Sequence, residues 1–92
     1  MTFQTGTLYM TAGVNRFLSD DRDFARFISE SWKRYKLQDW GDLPEEDKKM
    51  NDRAVKNNDD RIVARYNYNR HDIYIITEYD RSMTTILFTF EY

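Results

Sequence analysis

Four short runs of this sequence carry side chains capable of chemistry. His71 is the only histidine and stands beside Asp72, a pair that can hold a metal or relay a proton. A structural zinc site takes four ligands, and the chain has neither a cysteine nor a second histidine to complete one. His71 is therefore expected to be an ordinary exposed turn residue. The run Glu78-Tyr79-Asp80-Arg81-Ser82 gathers two carboxylates, a guanidinium and a hydroxyl. Paired carboxylates suit acid–base work and Ser82 can be pictured as a nucleophile, yet no base stands near it in sequence to activate it. The simpler expectation is a turn in which Asp80 bonds its own backbone while Arg81 pairs with a carboxylate such as Asp42 or Glu78.

The third run is acidic: Asp39, Asp42, Glu45, Glu46 and Asp47. Hard cations want several carboxylate oxygens on a flexible backbone, but the alternating pattern of a calcium loop, with its central glycine, is missing. A helix N-terminus accounts for Glu45, Glu46 and Asp47 without any metal, because negative charge is favourable against the exposed N–H groups of a first turn. A patch of this sign also resembles nucleic-acid phosphates to a basic partner. The fourth run, Asp39-Trp40-Gly41-Asp42, sets a tryptophan beside a glycine. The expectation is that Trp40 plugs the core under a loop and Gly41 supplies a positive φ, the alternative being that Trp40 lies in an interface. Gly6, Gly13 and Gly41 are the only glycines and build no phosphate-binding loop. No cofactor and no metal is expected.

These runs need a scaffold, and 92 residues are enough for one hydrophobic core but not two. With no cysteine the fold must stand on packing, to which Phe24, Phe27, Trp32, Tyr35, Tyr66, Tyr74, Phe88 and Phe90 are the expected large contributors. No apolar stretch is long enough for a membrane span and no secretory leader is evident, so a cytoplasmic protein is expected. The formal charge is -2, but it is unevenly spread. Between Asp39 and Asp60 there are eight acidic residues against four basic ones, leaving eight acidic and ten basic elsewhere.

Apolar periodicity predicts an α+β domain. Gly6 to Thr11 reads as a short strand, and Val14, Phe17 and Leu18 as one or two helical turns ended by Ser19-Asp20-Asp21. A second helix follows, with Asp20 or Asp21 as its cap and with Phe24, Phe27, Ile28, Trp32 and Tyr35 on one side. Pro44 opens a third helix reaching about Lys56, thin in apolar residues (Met50, Ala54, Val55) and hence the most available for recognition. Alternation over Ile62–Asn67, Ile73–Glu78 and Thr84–Glu91 predicts three antiparallel strands in a meander, joined by the Asn67–His71 connector and the Asp80-Arg81-Ser82 turn. The expected architecture is one antiparallel sheet, including the N-terminal strand, packed by two or three helices.

Against this reading, Thr11–Asn15, Phe24–Phe27, Arg34–Asp52, Ile73–Phe88 and the pair Glu91-Tyr92 resemble the plasmid-related proteins of bacterial plasmids, conjugative elements and prophages. The most specific matches are Asp39-Trp40-Gly41-Asp42 with Glu46, Asp47 and Asn51, and Ile76-Thr77-Glu78 followed by Asp80-Arg81-Ser82, Thr84 and Thr85. The chain departs from the family pattern at Thr89, where a proline is usual, and at Tyr79, where a small residue or tryptophan is usual. The resemblance implies a mobile genetic element and, through it, an anti-defence role such as inhibition of a Cas or restriction nuclease. The expected contact surface is acidic: Asp39, Asp42, Glu45, Glu46, Asp47 and Asp52. Trp40, Gly41, Asn51, Glu78, Asp80, Arg81 and Ser82 are expected to be structural or motif positions. Two rival expectations stand beside this one. The first is a metal-binding module or metal-dependent enzyme built on Asp42, Glu78 and Asp80 with His71. The second is a nucleic-acid accessory protein using Arg22, Arg26, Lys33 and Arg34. The oligomeric state is not legible in the sequence.

Overall fold

A computed structural model describes residues 3–92. The order of elements is β1 (Thr7–Met10), α1 (Ala12–Asp20), α2 (Arg22–Lys36), α3 (Glu45–Asn57), β2 (Ile62–Tyr66), β3 (Ile73–Thr77) and β4 (Met83–Phe88), with a closing 3-10 turn at Thr89–Glu91. The strands form one sheet in the order β1-β4-β3-β2. The meander expected from the alternation is present, with β2, β3 and β4 antiparallel. The sheet as a whole is mixed rather than antiparallel, because β1 lies parallel to β4. Its position in the chain explains the difference: three helices and the strands β2 and β3 separate it from β4, so no hairpin turn dictates its direction.

Thr11 and Asp21 cap α1 and α2, the Asp21 carboxylate accepting from the N–H groups of Asp23 and Phe24 at 3.0 and 3.1 Å. The buried stripe of α2 is Phe24, Ile28, Ser31 and Tyr35, at helical spacing. It packs on the sheet face made by Ile62, Ala64 and Tyr66, then Ile73, Ile75 and Thr77, then Thr84, Ile86 and Phe88, which alternation along each strand turns to one side. Through this core runs a chain of hydroxyls. Thr84 Oγ1 donates to the Thr5 carbonyl at 2.6 Å, so it accepts from Thr77 Oγ1 at 2.7 Å, which in turn accepts from the Tyr35 hydroxyl at 2.6 Å. Burial pushes the Tyr35 hydroxyl well above its ordinary range and keeps it a donor. No buried side-chain nitrogen or oxygen among the described residues lacks a partner.

Three local expectations are corrected. β4 ends at Phe88 instead of running on to Glu91, since the Glu91 carboxylate folds back to accept from the Phe88 N–H and the Thr11 hydroxyl. Phe90 is thereby turned outward, 77% exposed and stacked on Phe88, and adds nothing to the core. His71 is not an exposed turn residue: it is half-buried, its ring 4.2 Å from that of Phe17 and within stacking range of Phe24 and Phe88. The first helix is also longer than its apolar periodicity marked, because Ala12 and Gly13 are already helical behind the Thr11 cap.

Candidate functional site

The loop Asp39–Asp42 and the helix α3 meet at the outer edge of β2. A sheet edge exposes backbone N–H and C=O groups at every second residue, and on β2 these belong to Val63 and Arg65. Asn51, buried on α3, satisfies the first pair: its Nδ2 donates to the Val63 carbonyl at 2.9 Å, and its Oδ1 accepts from the Val63 N–H at 3.2 Å. The loop satisfies the second pair. The Arg65 N–H donates to the Trp40 carbonyl at 3.4 Å and the Asp42 N–H to the Arg65 carbonyl at 2.7 Å, a parallel bridge centred on Gly41. The bridge requires a glycine, because Gly41 has φ +77° and a Cβ there would stand 2.1 Å from the Arg65 carbonyl oxygen.

The acidic residues around this loop divide into two groups. Asp39 forms a two-point pair with Arg34 at 2.7 and 3.2 Å and accepts from the Gly41 N–H. Asp42 accepts from the Asn67 N–H at 2.9 Å, and Asp52 accepts from the indole N–H of buried Trp40 at 2.8 Å. These three carboxylates hold the loop. Trp40 itself plugs the core, edge-on to Tyr35, as expected from its neighbours in sequence. In contrast, Glu45, Glu46 and Asp47 fill the first turn of α3 behind Pro44 and face outward. Among the described residues the only ion pair in that turn is a loose 3.8 Å approach of Lys48 to Glu45. Beside the turn is a groove of about 320 Å³ lined by Leu43, Asp47, Met50, Val63, Tyr74 and Tyr92 among others.

Hydrogen bonding from Arg34 holds the Asp39 carboxyl below its ordinary pKa, so its share of stability is present above the usual carboxylate pKa and is lost as pH falls through the depressed value. Arg34→Met is therefore expected to flatten the acid limb of the stability curve below about pH 4, a small effect because both partners are half exposed. Urea midpoints measured from neutral pH down to pH 3 would test it, and an unchanged acid slope would remove the pair from the account.

The Asp80 turn forms as anticipated, with the Ser82 N–H donating to the Asp80 carboxylate at 3.0 Å; hydrogen bonding from Ser82 also lowers the Asp80 pKa. Arg81 corrects its expectation. It pairs with no carboxylate; it is buried, and its guanidinium donates to the carbonyl oxygens of Ala54, Asp59, Asp60, Glu78 and Tyr79 at 2.7 to 3.2 Å. Nothing in the local spacing predicts this, because the acceptors come from the end of α3, the loop after it and the hairpin itself. The Arg65–Asp72 pair at 3.0 Å was not visible in the sequence either.

The fold separates the residues of the metal reading. His71 and Asp72 precede β3 while Glu78 and Asp80 follow it, so a five-residue strand, roughly 17 Å at about 3.3 Å per residue, stands between them. Asp42 lies by Asn67, near the first end. Among the described residues no group of three or more His, Cys, Asp or Glu side chains is placed to hold a metal ion. The same separation keeps His71 from Ser82. On α2, Arg34 is engaged with Asp39, and Asp23 and Glu30 interrupt the row of Arg22, Arg26 and Lys33. No helix among the described residues is long and apolar enough to cross a membrane.

No family model, curated protein or solved structure matches the chain.

Proposed function

We propose that this chain is a non-catalytic binding protein that docks a basic protein surface through the first turn of α3 and the groove beside it. The observation that carries the reading is the division among the carboxylates. Asp39, Asp42 and Asp52, though exposed, are each tied into the fold by hydrogen bonds, whereas Glu45, Glu46 and Asp47 are displayed together with, among the described residues, only the loose approach of Lys48 to Glu45. Uncompensated charge of one sign steers and orients an oppositely charged partner, and Met50, Leu43 and Tyr92 next to it offer apolar area to desolvate on contact. Asp39, Asp42 and Asp52 then form the rim of the surface and hold its shape. The resemblance to plasmid-related proteins directs the choice of partner to Cas and restriction nucleases, whose nucleic-acid channels are basic. In that role the acidic turn stands in for phosphates.

The test is capture of purified Cas or restriction complexes by the native protein and by a variant with Glu45, Glu46 and Asp47 all changed to lysine. Binding is expected to fall by at least two orders of magnitude in the variant and to weaken with salt in the native protein. The reversal also opposes the helix dipole at a cost of about 0.3–1 kcal/mol per residue, so urea unfolding must accompany the binding data. Capture that survives the reversal in a folded variant would rule out this surface.

A further inference from the structure

The two edges of the sheet are treated differently. The β2 edge is closed at Val63 by Asn51 and at Arg65 by the Gly41 bridge. At the other edge, the Thr7 N–H donates to the Ser82 carbonyl and the Thr11 N–H to the Ile86 carbonyl. In a parallel ladder this commits Thr7, Tyr9 and Thr11 to β4 and turns the N–H and C=O groups of Leu8 and Met10 outward. Among the described residues nothing hydrogen-bonds to them. The segment Thr7-Leu8-Tyr9-Met10 has no charge, proline or bulge to discourage pairing, and Tyr9 is 51% exposed.

We infer that β1 is a strand-addition surface whose occupant is the β1 of a second copy, paired antiparallel to give one continuous sheet across a two-fold axis. Register and charge select this occupant. Gly6, at φ +63°, ends the extended backbone before β1, and α1 begins at Ala12, so only Thr7–Met10 can pair. Within that span, centring the axis on Tyr9 sets Leu8 of each copy opposite Met10 of the other as hydrogen-bonded pairs, using all four outward groups. Tyr9 then faces Tyr9 of the second copy as the close, non-hydrogen-bonded pair, its ring on the sheet face that carries Thr85 and Ile76. The uncharged span thereby meets an uncharged span, and the half-exposed Tyr9 ring is covered by its own counterpart. A seam of four residues from each copy is a small contact beside the roughly 1,000 Å² expected of a stable interface, so the dimer is concentration-dependent. It lies at the edge opposite α3 and does not depend on the proposed function.

The test joins sedimentation equilibrium with cross-linking. The native protein is expected to shift from monomer to dimer as concentration rises, and Tyr9→Lys, which sets two like charges together on an exposed position, to remain monomeric with an unchanged melting temperature. The chain has no cysteine, so Tyr9→Cys introduces a single thiol. With Cα atoms about 4.5 Å apart across the axis, mild oxidation is expected to give a covalent dimer. Leu8→Cys, whose like positions stand roughly 8 Å apart in this register, is expected to cross-link poorly. A native protein that stays monomeric at every concentration, or equal cross-linking at both positions, overturns the pairing. Loss of a captured partner in Tyr9→Lys, with the native protein monomeric, overturns it in favour of a foreign strand.

Discussion

Arg81→Ala is expected to remove about 3–5 kcal/mol of stability, a large part of the total for a domain of this size. The guanidinium ties its own hairpin to the end of α3 and the loop after it, 21 to 27 residues away in sequence. It accepts nothing and donates to five carbonyls: Ala54 near the end of α3, Asp59 and Asp60 in the loop before β2, and Glu78 and Tyr79 entering the hairpin. Alanine leaves these oxygens facing a side-chain-sized gap, and hydrogen bonds to a charged donor are each stronger than neutral ones. The comparison is free of backbone strain, since Arg81 already has φ +61° and both residues carry a Cβ. At 4–8 °C per kcal/mol, the melting temperature should fall by roughly 12–40 °C. Arg81→Lys should recover less than half of the loss, because one ammonium replaces two nitrogens aimed at separate acceptors. Asp80→Ala, which loses the hydrogen bonding from Ser82 within its own turn, should cost about 1 kcal/mol. Urea unfolding of the three variants decides the matter. If Arg81→Ala matches Asp80→Ala, the guanidinium is not the tie described.

The contrast between those two neighbours shows what a sequence discloses. Asp80 acts within its own turn, and its role follows from residue type and spacing. The partners of Arg81 are assembled by the fold, and its hydrophilic character suggests the surface, not a buried junction of carbonyls. The same division runs through the elements. Helices α2 and α3 and the meander were legible because periodicity and capping are local signals, and the role of Trp40 followed from its glycine neighbour. The direction of β1 was not, because a four-residue strand carries no record of which partner it joins or which way it runs. Likewise the acidic run was visible as charge, but its division was not. Only the placement of Arg34, Trp40 and Asn67 shows that Asp39, Asp42 and Asp52 serve the loop while Glu45, Glu46 and Asp47 stand exposed on the first turn of α3.

Asn51 offers the sharper test of why the loop and α3 sit where they do. Its amide completes the β2 ladder as a neighbouring strand would, one donor and one acceptor matched to Val63, so Asn51→Ala should leave both backbone groups unpaired beneath α3 at a cost of about 2–4 kcal/mol. It should also expose part of an edge next to Ile62 and Ala64, and the variant is expected to aggregate at concentrations where the native protein stays clear. Asn51→Asp separates hydrogen bonding from size. The introduced carboxylate keeps the acceptor for the Val63 N–H but turns an oxygen toward the Val63 carbonyl, so ionisation opposes folding and its pKa must rise in the folded state. A raised folded-state pKa means that the variant's deficit is greatest at neutral pH and shrinks as pH falls through that value, where the protonated oxygen can donate to Val63. Urea midpoints from pH 7 to pH 4 should therefore converge on those of the native protein for Asn51→Asp but not for Asn51→Ala. Parallel curves for the two variants would mean that α3 is held against β2 by packing of Ala54 and Val55 alone, and that the groove proposed to receive a partner is less firmly shaped than its hydrogen bonds imply.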